Sequence, residues 1–117
     1  MANYSKLHDA LRAEVIADLK KLIDENGEIV FYDLETEDVY IDLSVAGRDI
    51  NGCYPDVTKI WKEDSGRYYV SCIDSDYDTI DIDIEWTPDL SLGDLCEIYD
   101  AAVIFLAGDR KPRFSRK

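Results

Sequence analysis

The chain reads as an α+β domain with an N-terminal helix, a five-strand antiparallel meander and a C-terminal helix, both helices packed on one face of the sheet. Three observations predict this. Apolar residues recur at helical spacing over 5–26 and again over 91–107. Between these stretches lie short segments rich in β-branched and aromatic residues, two of which alternate apolar and polar. The connections between the segments are short, which leaves no room for the crossovers that parallel pairing needs.

In the first helix, Ser5 stands at the expected N-cap and Gly27 at the expected stop. Leu7, Leu11, Val15, Leu19, Leu22 and Ile23 form one stripe, the predicted buried side. Lys20 and Asp24, like Lys21 and Glu25, are spaced i,i+4 on the wet side. Residues 28–34 carry Ile29, Val30, Phe31 and Tyr32 in a run, as a strand covered on both faces would. After a polar turn, residues 39–45 alternate. Val39, Ile41, Leu43 and Val45 fall on one side, and Tyr40, Asp42 and Ser44 on the other. Asn51-Gly52 and Tyr54-Pro55 mark a loop.

A third strand is predicted over 57–63, where Lys59, Lys62 and Glu63 suit a sheet edge that charge protects from mispairing. Asp64-Ser65-Gly66 then makes a tight turn, so 67–73 should return as the partner strand of a hairpin. In 80–86 the alternation is strict, with Ile80, Ile82, Ile84 and Trp86 inward and Asp81, Asp83 and Glu85 outward. The last helix opens on Ser91 with Asp94 three residues on, a capping-box spacing, and stops at Gly108. Its stripe comprises Leu92, Leu95, Cys96, Tyr99, Ala102, Val103 and Leu106, yet Ile98, Ala101, Ile104 and Phe105 lie off it. A helix apolar nearly all round is buried on more than one side. Self-association through Ile98, Ile104 and Phe105, and hence a homo-oligomer, is the expectation.

Length and charge bound the rest. The 117 residues suit a single domain over 1–109, followed by a basic tail, 110–117, expected to be disordered. There are 26 acidic and 13 basic residues, for a net charge of −13. Arg110, Lys111, Arg113, Arg116 and Lys117 are concentrated in the tail, which leaves 8 basic against 26 acidic side chains in residues 1–109. Such a body repels nucleic acid and anionic membrane and attracts basic proteins. Direct nucleic-acid binding is therefore expected only through the tail, which can equally fold back on acidic surface. No run approaches the ~18 apolar residues of a membrane span. The N-terminus lacks the pattern of a signal peptide. Three cysteines, Cys53, Cys72 and Cys96, are an odd count, so reduced thiols and a cytoplasmic location are expected.

The sharpest candidate for function is the acid ladder. Asp81, Asp83 and Glu85, at i, i+2 and i+4, would line one strand face about 6.6 Å apart. Asp42, Tyr40 and Tyr69 are expected to share that face. Such a surface suits a basic protein partner. The plainer alternative is the wet side of a sheet whose other side meets the helices. Against it stands a cost, because carboxylates side by side repel one another and gain no packing.

Other groupings fail on chemistry. Asp74, Asp76, Asp78 and Glu85 fall at calcium-loop positions, but Thr79 stands where the sharp turn needs Gly and Ile82 where a polar ligand belongs. Cys72 and Cys96 read as core residues and Cys53 as a loop residue, with no Cys-x-x-Cys and a single histidine to build a zinc site. His8 reads as a partly buried packing residue without a catalytic partner. No metal or cofactor is expected. Three functions remain: a non-catalytic interaction or regulatory protein that presents its acidic, tyrosine-rich face to a basic partner; a DNA mimic that occupies a nucleic-acid-binding site on another protein; and a small carboxylate-based metal-dependent enzyme. The lack of a catalytic grouping favours the first over the third.

Overall fold

The computed structural model describes residues 4–31, 38–39, 56–73, 79–85, 90–108 and 114–115. Its elements are α1 (Tyr4–Asn26), β1 (Ile29–Val30), β2 (Asp38–Val39), β3 (Asp56–Lys62), β4 (Tyr68–Ile73), β5 (Thr79–Asp83), α2 (Leu92–Leu106) and β6 (Phe114–Ser115). The fold is α+β, with two helices and a four-stranded antiparallel sheet in the order β1-β3-β4-β5. A separate pair, β2 with β6, sets Asp38 opposite Ser115 and Val39 opposite Phe114.

This corrects the expected five-strand meander in two places. β1 pairs directly with β3, Ile29 opposite Ile60 and Val30 opposite Lys59, so no second strand lies between them. Val39, the start of the expected second strand, pairs instead with a segment assigned to the tail. The rest of that expected strand, 40–45, lies outside the described residues. It follows that β3 is interior rather than an edge. Its lysines are tolerated because long stems carry the charge clear of the pairing backbone. Lys59 reaches Glu28 at 2.7 Å, and Lys62 stands past the end of β1.

The β3–β4 hairpin forms as its turn chemistry requires. Gly66, at φ +95°, takes the left-handed position, and Glu63 and Arg67 close the turn with an N–H···O bond of 2.8 Å. Pairing then runs outward: Lys62 with Tyr68, Trp61 with Tyr69, Ile60 with Val70 and Lys59 with Ser71. The register shifts at Thr58 before Val57 meets Cys72. That bulged residue is well tied. Its carbonyl accepts from Phe31 N at 2.7 Å, and its hydroxyl donates to Ser71 O at 3.0 Å.

Because strand side chains alternate, this register sorts the sheet into two faces. On one face Ile29, Ile60, Val70 and Ile82 make a row across all four strands, each at most 4% exposed. Val57, Cys72 and Ile80 form the next row. Leu19 and Ile23 of α1 and Leu95, Ile98 and Ala102 of α2 join them in one core. Burying each large aliphatic side chain there contributes roughly 1.5–3 kcal/mol. Phe105 closes one end, edge-on to Phe31 at 5.2 Å.

The helices depart from their predicted stripes in instructive ways. α1 stops where expected, with Gly27 at φ +74° donating to Ile23 O at 2.7 Å. Its first turns are not covered: Leu7 is 57% and Leu11 44% exposed. At 1.5 Å per residue α1 is about 35 Å long and α2 about 22 Å, so part of α1 overhangs. The contact of Arg12 Nη1 with Leu90 O (2.5 Å) fixes where cover begins. Further along, Asp24 turns to the sheet rather than to Lys20. It accepts from Tyr68 Oη at 2.7 Å and stands 3.9 Å from Lys62, while Lys20 pairs with Glu85. Lys21 and Glu25 keep the predicted helical pair at 4.0 Å.

α2 begins with the predicted capping box. Ser91 Oγ accepts from Asp94 N at 3.1 Å, and Asp94 Oδ2 accepts from Ser91 N at 3.0 Å. The helix is rotated from its expected stripe, so that Asp94, Leu95, Ile98 and Ala102 are buried while Val103 and Ile104 are 40% and 52% exposed. A helix apolar all round gives periodicity no preferred direction. Here the buried box residue Asp94 and the seat of Phe105 on Phe31 set the rotation instead. Among the described residues, no helix is long and apolar enough to cross a membrane.

Candidate binding surface on the outer sheet face

The face of the sheet turned away from the core is built by two cross-strand rows. Trp61 of β3, Tyr69 of β4 and Asp83 of β5 stand opposite one another, and beside them Lys59, Ser71 and Asp81 do the same. Trp61 and Tyr69 stack at 5.3 Å with 28° between their planes. The Lys59 ammonium lies 4.7 Å from the Trp61 ring centre. At the other end of the aromatic pair, Arg67 comes within 3.7 Å of the Asp83 carboxylate.

Ser71 is the hub of the face and is fully buried. Its hydroxyl accepts from Trp61 Nε1 at 2.7 Å and donates to Asp81 Oδ1 at 2.6 Å. The second bond is short because its acceptor is charged. One small hydroxyl thus links an aromatic ring on β3 to a carboxylate on β5. Tyr69 ionises above the ordinary phenol range, first because burial disfavours its phenolate, then because it hydrogen-bonds the Glu63 carboxylate. It stays a neutral donor at physiological pH.

The acid ladder is shorter than the sequence suggests. Asp81 is exposed and Asp83 half-buried on the outer face, but β5 ends at Asp83. Asp83 Oδ1 accepts from Glu85 N at 2.9 Å. A carboxylate that bonds the amide two residues on makes an Asx turn, which breaks the extended run. Glu85 is carried off the ladder and pairs with Lys20 of α1. Tyr40 and Asp42, the other expected members, lie outside the described residues. Of the residues predicted for this surface, Tyr69, Asp81 and Asp83 come together.

Trp61 and Ser71 escaped the sequence reading. The signal that finds them is the hairpin turn, because counting outward from Asp64-Ser65-Gly66 sets Trp61 opposite Tyr69 and Lys59 opposite Ser71.

Other candidates fall elsewhere. Of the three residues expected on a self-association surface, Ile98 is wholly inside the core, Phe105 packs on Phe31, and Ile104 is exposed. His8 is exposed on α1, 3.7 Å from Asp9, not partly buried as expected. Cys72 and Cys96 are free thiols. Burial, with Asp56, Asp81 and Asp94 nearby, pushes the Cys72 thiol up to about 12, so it is no nucleophile at neutral pH. Among the described residues, no three His, Cys, Asp or Glu side chains gather in a way that could hold a metal ion. Cys53, Asp74, Asp76 and Asp78 lie outside them. Compared with protein-family models, with curated proteins and with solved structures, the chain matches none.

Proposed function

We propose that the protein is a non-catalytic interaction or regulatory module whose outer sheet face receives lysine or arginine side chains of a basic protein partner. The observation that carries this reading is that the chain's own cations already occupy both ends of the aromatic pair. Lys59 lies over Trp61, and Arg67 stands beside Asp83. Stacked rings next to carboxylates attract a cation by quadrupole and by charge together, and the net charge of −13 steers basic proteins toward the molecule. A partner's side chains would displace or join these internal ones.

The outer face fits a mimic of nucleic acid less well. Such a mimic needs a continued row of carboxylates, and Glu85 is drawn away to Lys20. Self-association through α2 is no part of this reading, since Ile98 and Phe105 are used inside the chain.

The test must separate a specific face from diffuse attraction. A labelled arginine- and lysine-rich peptide is titrated into the full chain, into Asp81→Asn/Asp83→Asn, and into Glu14→Gln/Asp18→Asn, which removes the same charge from the exposed side of α1. At least tenfold weaker binding to the first variant and less than threefold to the second is expected. Equal losses would show attraction by net charge alone and end the proposal.

A further inference from the structure

The short β2–β6 pair uses different residues from the outer sheet face and carries an inference of its own. Its backbone register joins Asp38–Val39 to Phe114–Ser115, apart from the four-stranded sheet. The sequence on the two sides is opposite in charge. Residues 33–38 hold Asp33, Glu35, Glu37 and Asp38 with no base, and residues 110–117 hold five Lys and Arg with no acid. Two strands paired outside a larger sheet are marginally stable in water. The pair therefore opens readily, and opening leaves a strand edge that any extended chain can add to through its backbone. The acids that precede it in the sequence favour a basic chain.

We propose that Asp38–Val39 is a strand-addition site for a basic, extended peptide segment, and that the chain's own carboxyl-terminal segment fills it as a built-in competitor. The tether gives the tail an effective concentration on the order of millimolar, so a free basic peptide well below that level is kept out. A partner is admitted when it exceeds this threshold or binds the tail away.

The test uses the full chain and a full-length Phe114→Pro/Ser115→Pro variant, in which proline removes the amides that pairing needs without changing charge. The probe is a labelled peptide with the sequence of residues 110–117. It is expected to bind the variant at least tenfold more tightly than the wild type, to weaken as salt is raised, and to shift the Val39 amide resonance. The same peptide carrying both prolines keeps its charge for the outer face, and is expected to bind the two chains equally and to leave the Val39 amide resonance in place. Equal affinity for the two chains when the titration is read at Val39, or a Val39 shift with the proline peptide as large as with the native one, would overturn the proposal. A reading free of variants comes from amide exchange in the wild-type chain. Protection of the β2–β6 amides should fall when excess peptide is added, and protection that the peptide leaves untouched counts against the site. Tail pairing found between copies, as a concentration-dependent mass, would also overturn it.

Discussion

On the helix side of the sheet, Ile60, Val70 and Ile82 meet across three strands and touch little but other apolar side chains. One residue along each strand, on the outer side, Lys59, Ser71 and Asp81 stand opposite one another in the same way, and directed bonds run from Trp61 through Ser71 to Asp81. The same backbone supports both. The inner face is held by area removed from water, which is non-directional and tolerates a change of shape better than a loss of volume. The outer face is held by a few hydrogen bonds, so a single buried hydroxyl decides whether two partners on other strands are satisfied. The inner face explains why the domain folds, and the outer face presents chemistry held in place by that fold.

This contrast can be broken most forcefully on the inner side. Ile82→Ala removes a side chain that is 3% exposed at the β5 end of the row, and a loss of about 2–5 kcal/mol is expected from urea unfolding. A loss below 1 kcal/mol would mean that the row is not the core. On the outer side Ser71→Ala strips the acceptor from Trp61 and the donor from Asp81, at a cost of about 1–3 kcal/mol. Since these residues act together, Ser71→Ala combined with Trp61→Phe should cost less than the sum of the two. Simple additivity would show that the relay is not a unit. Glu85→Gln should change stability by less than about 1 kcal/mol, because its ion pair with Lys20 is partly exposed.

The smallest effect is a titration. Tyr68 is raised chiefly by its hydrogen bond to Asp24 and Tyr69 chiefly by burial. Raised folded-state values mean that their contribution is fully present below the ordinary phenol value of about 10. That contribution is lost as pH climbs through the raised values. Phenolate absorbance should therefore show Tyr68 and Tyr69 ionising late. In Asp24→Asn the Tyr68 step should move down while that of Tyr69 stays.

What was legible in the sequence depended on how local its cause is. The capping box at Ser91 and Asp94, the helix stop at Gly27 and the turn at Gly66 are decided by neighbouring residues, and the structure has all three. The alternation in β5 separates Ile80 and Ile82 from Asp81 and Asp83 as expected, since strand period is a local property. What failed was decided at a distance. The direct pairing of β1 with β3 spans the chain from Ile29 to Ile60, and no pattern in either segment names its partner. The overhang of Leu7 and Leu11 depends on the length of α2, and the rotation of α2 on where Phe105 meets Phe31. Of the candidate site, the acids were visible as a pattern. The Asx turn that removes Glu85 was hidden because an Asp in a strand looks the same whether its carboxylate faces water or its own backbone.

The most direct measurement of the outer face is the indole N–H resonance of Trp61, assigned by comparison with Trp61→Phe and followed by NMR while a lysine- and arginine-rich peptide is added. A saturable movement of that resonance, reduced by salt and abolished in Asp81→Asn/Asp83→Asn, is the predicted result. Peptide binding that leaves the indole where it was would place the contact elsewhere and contradict the account.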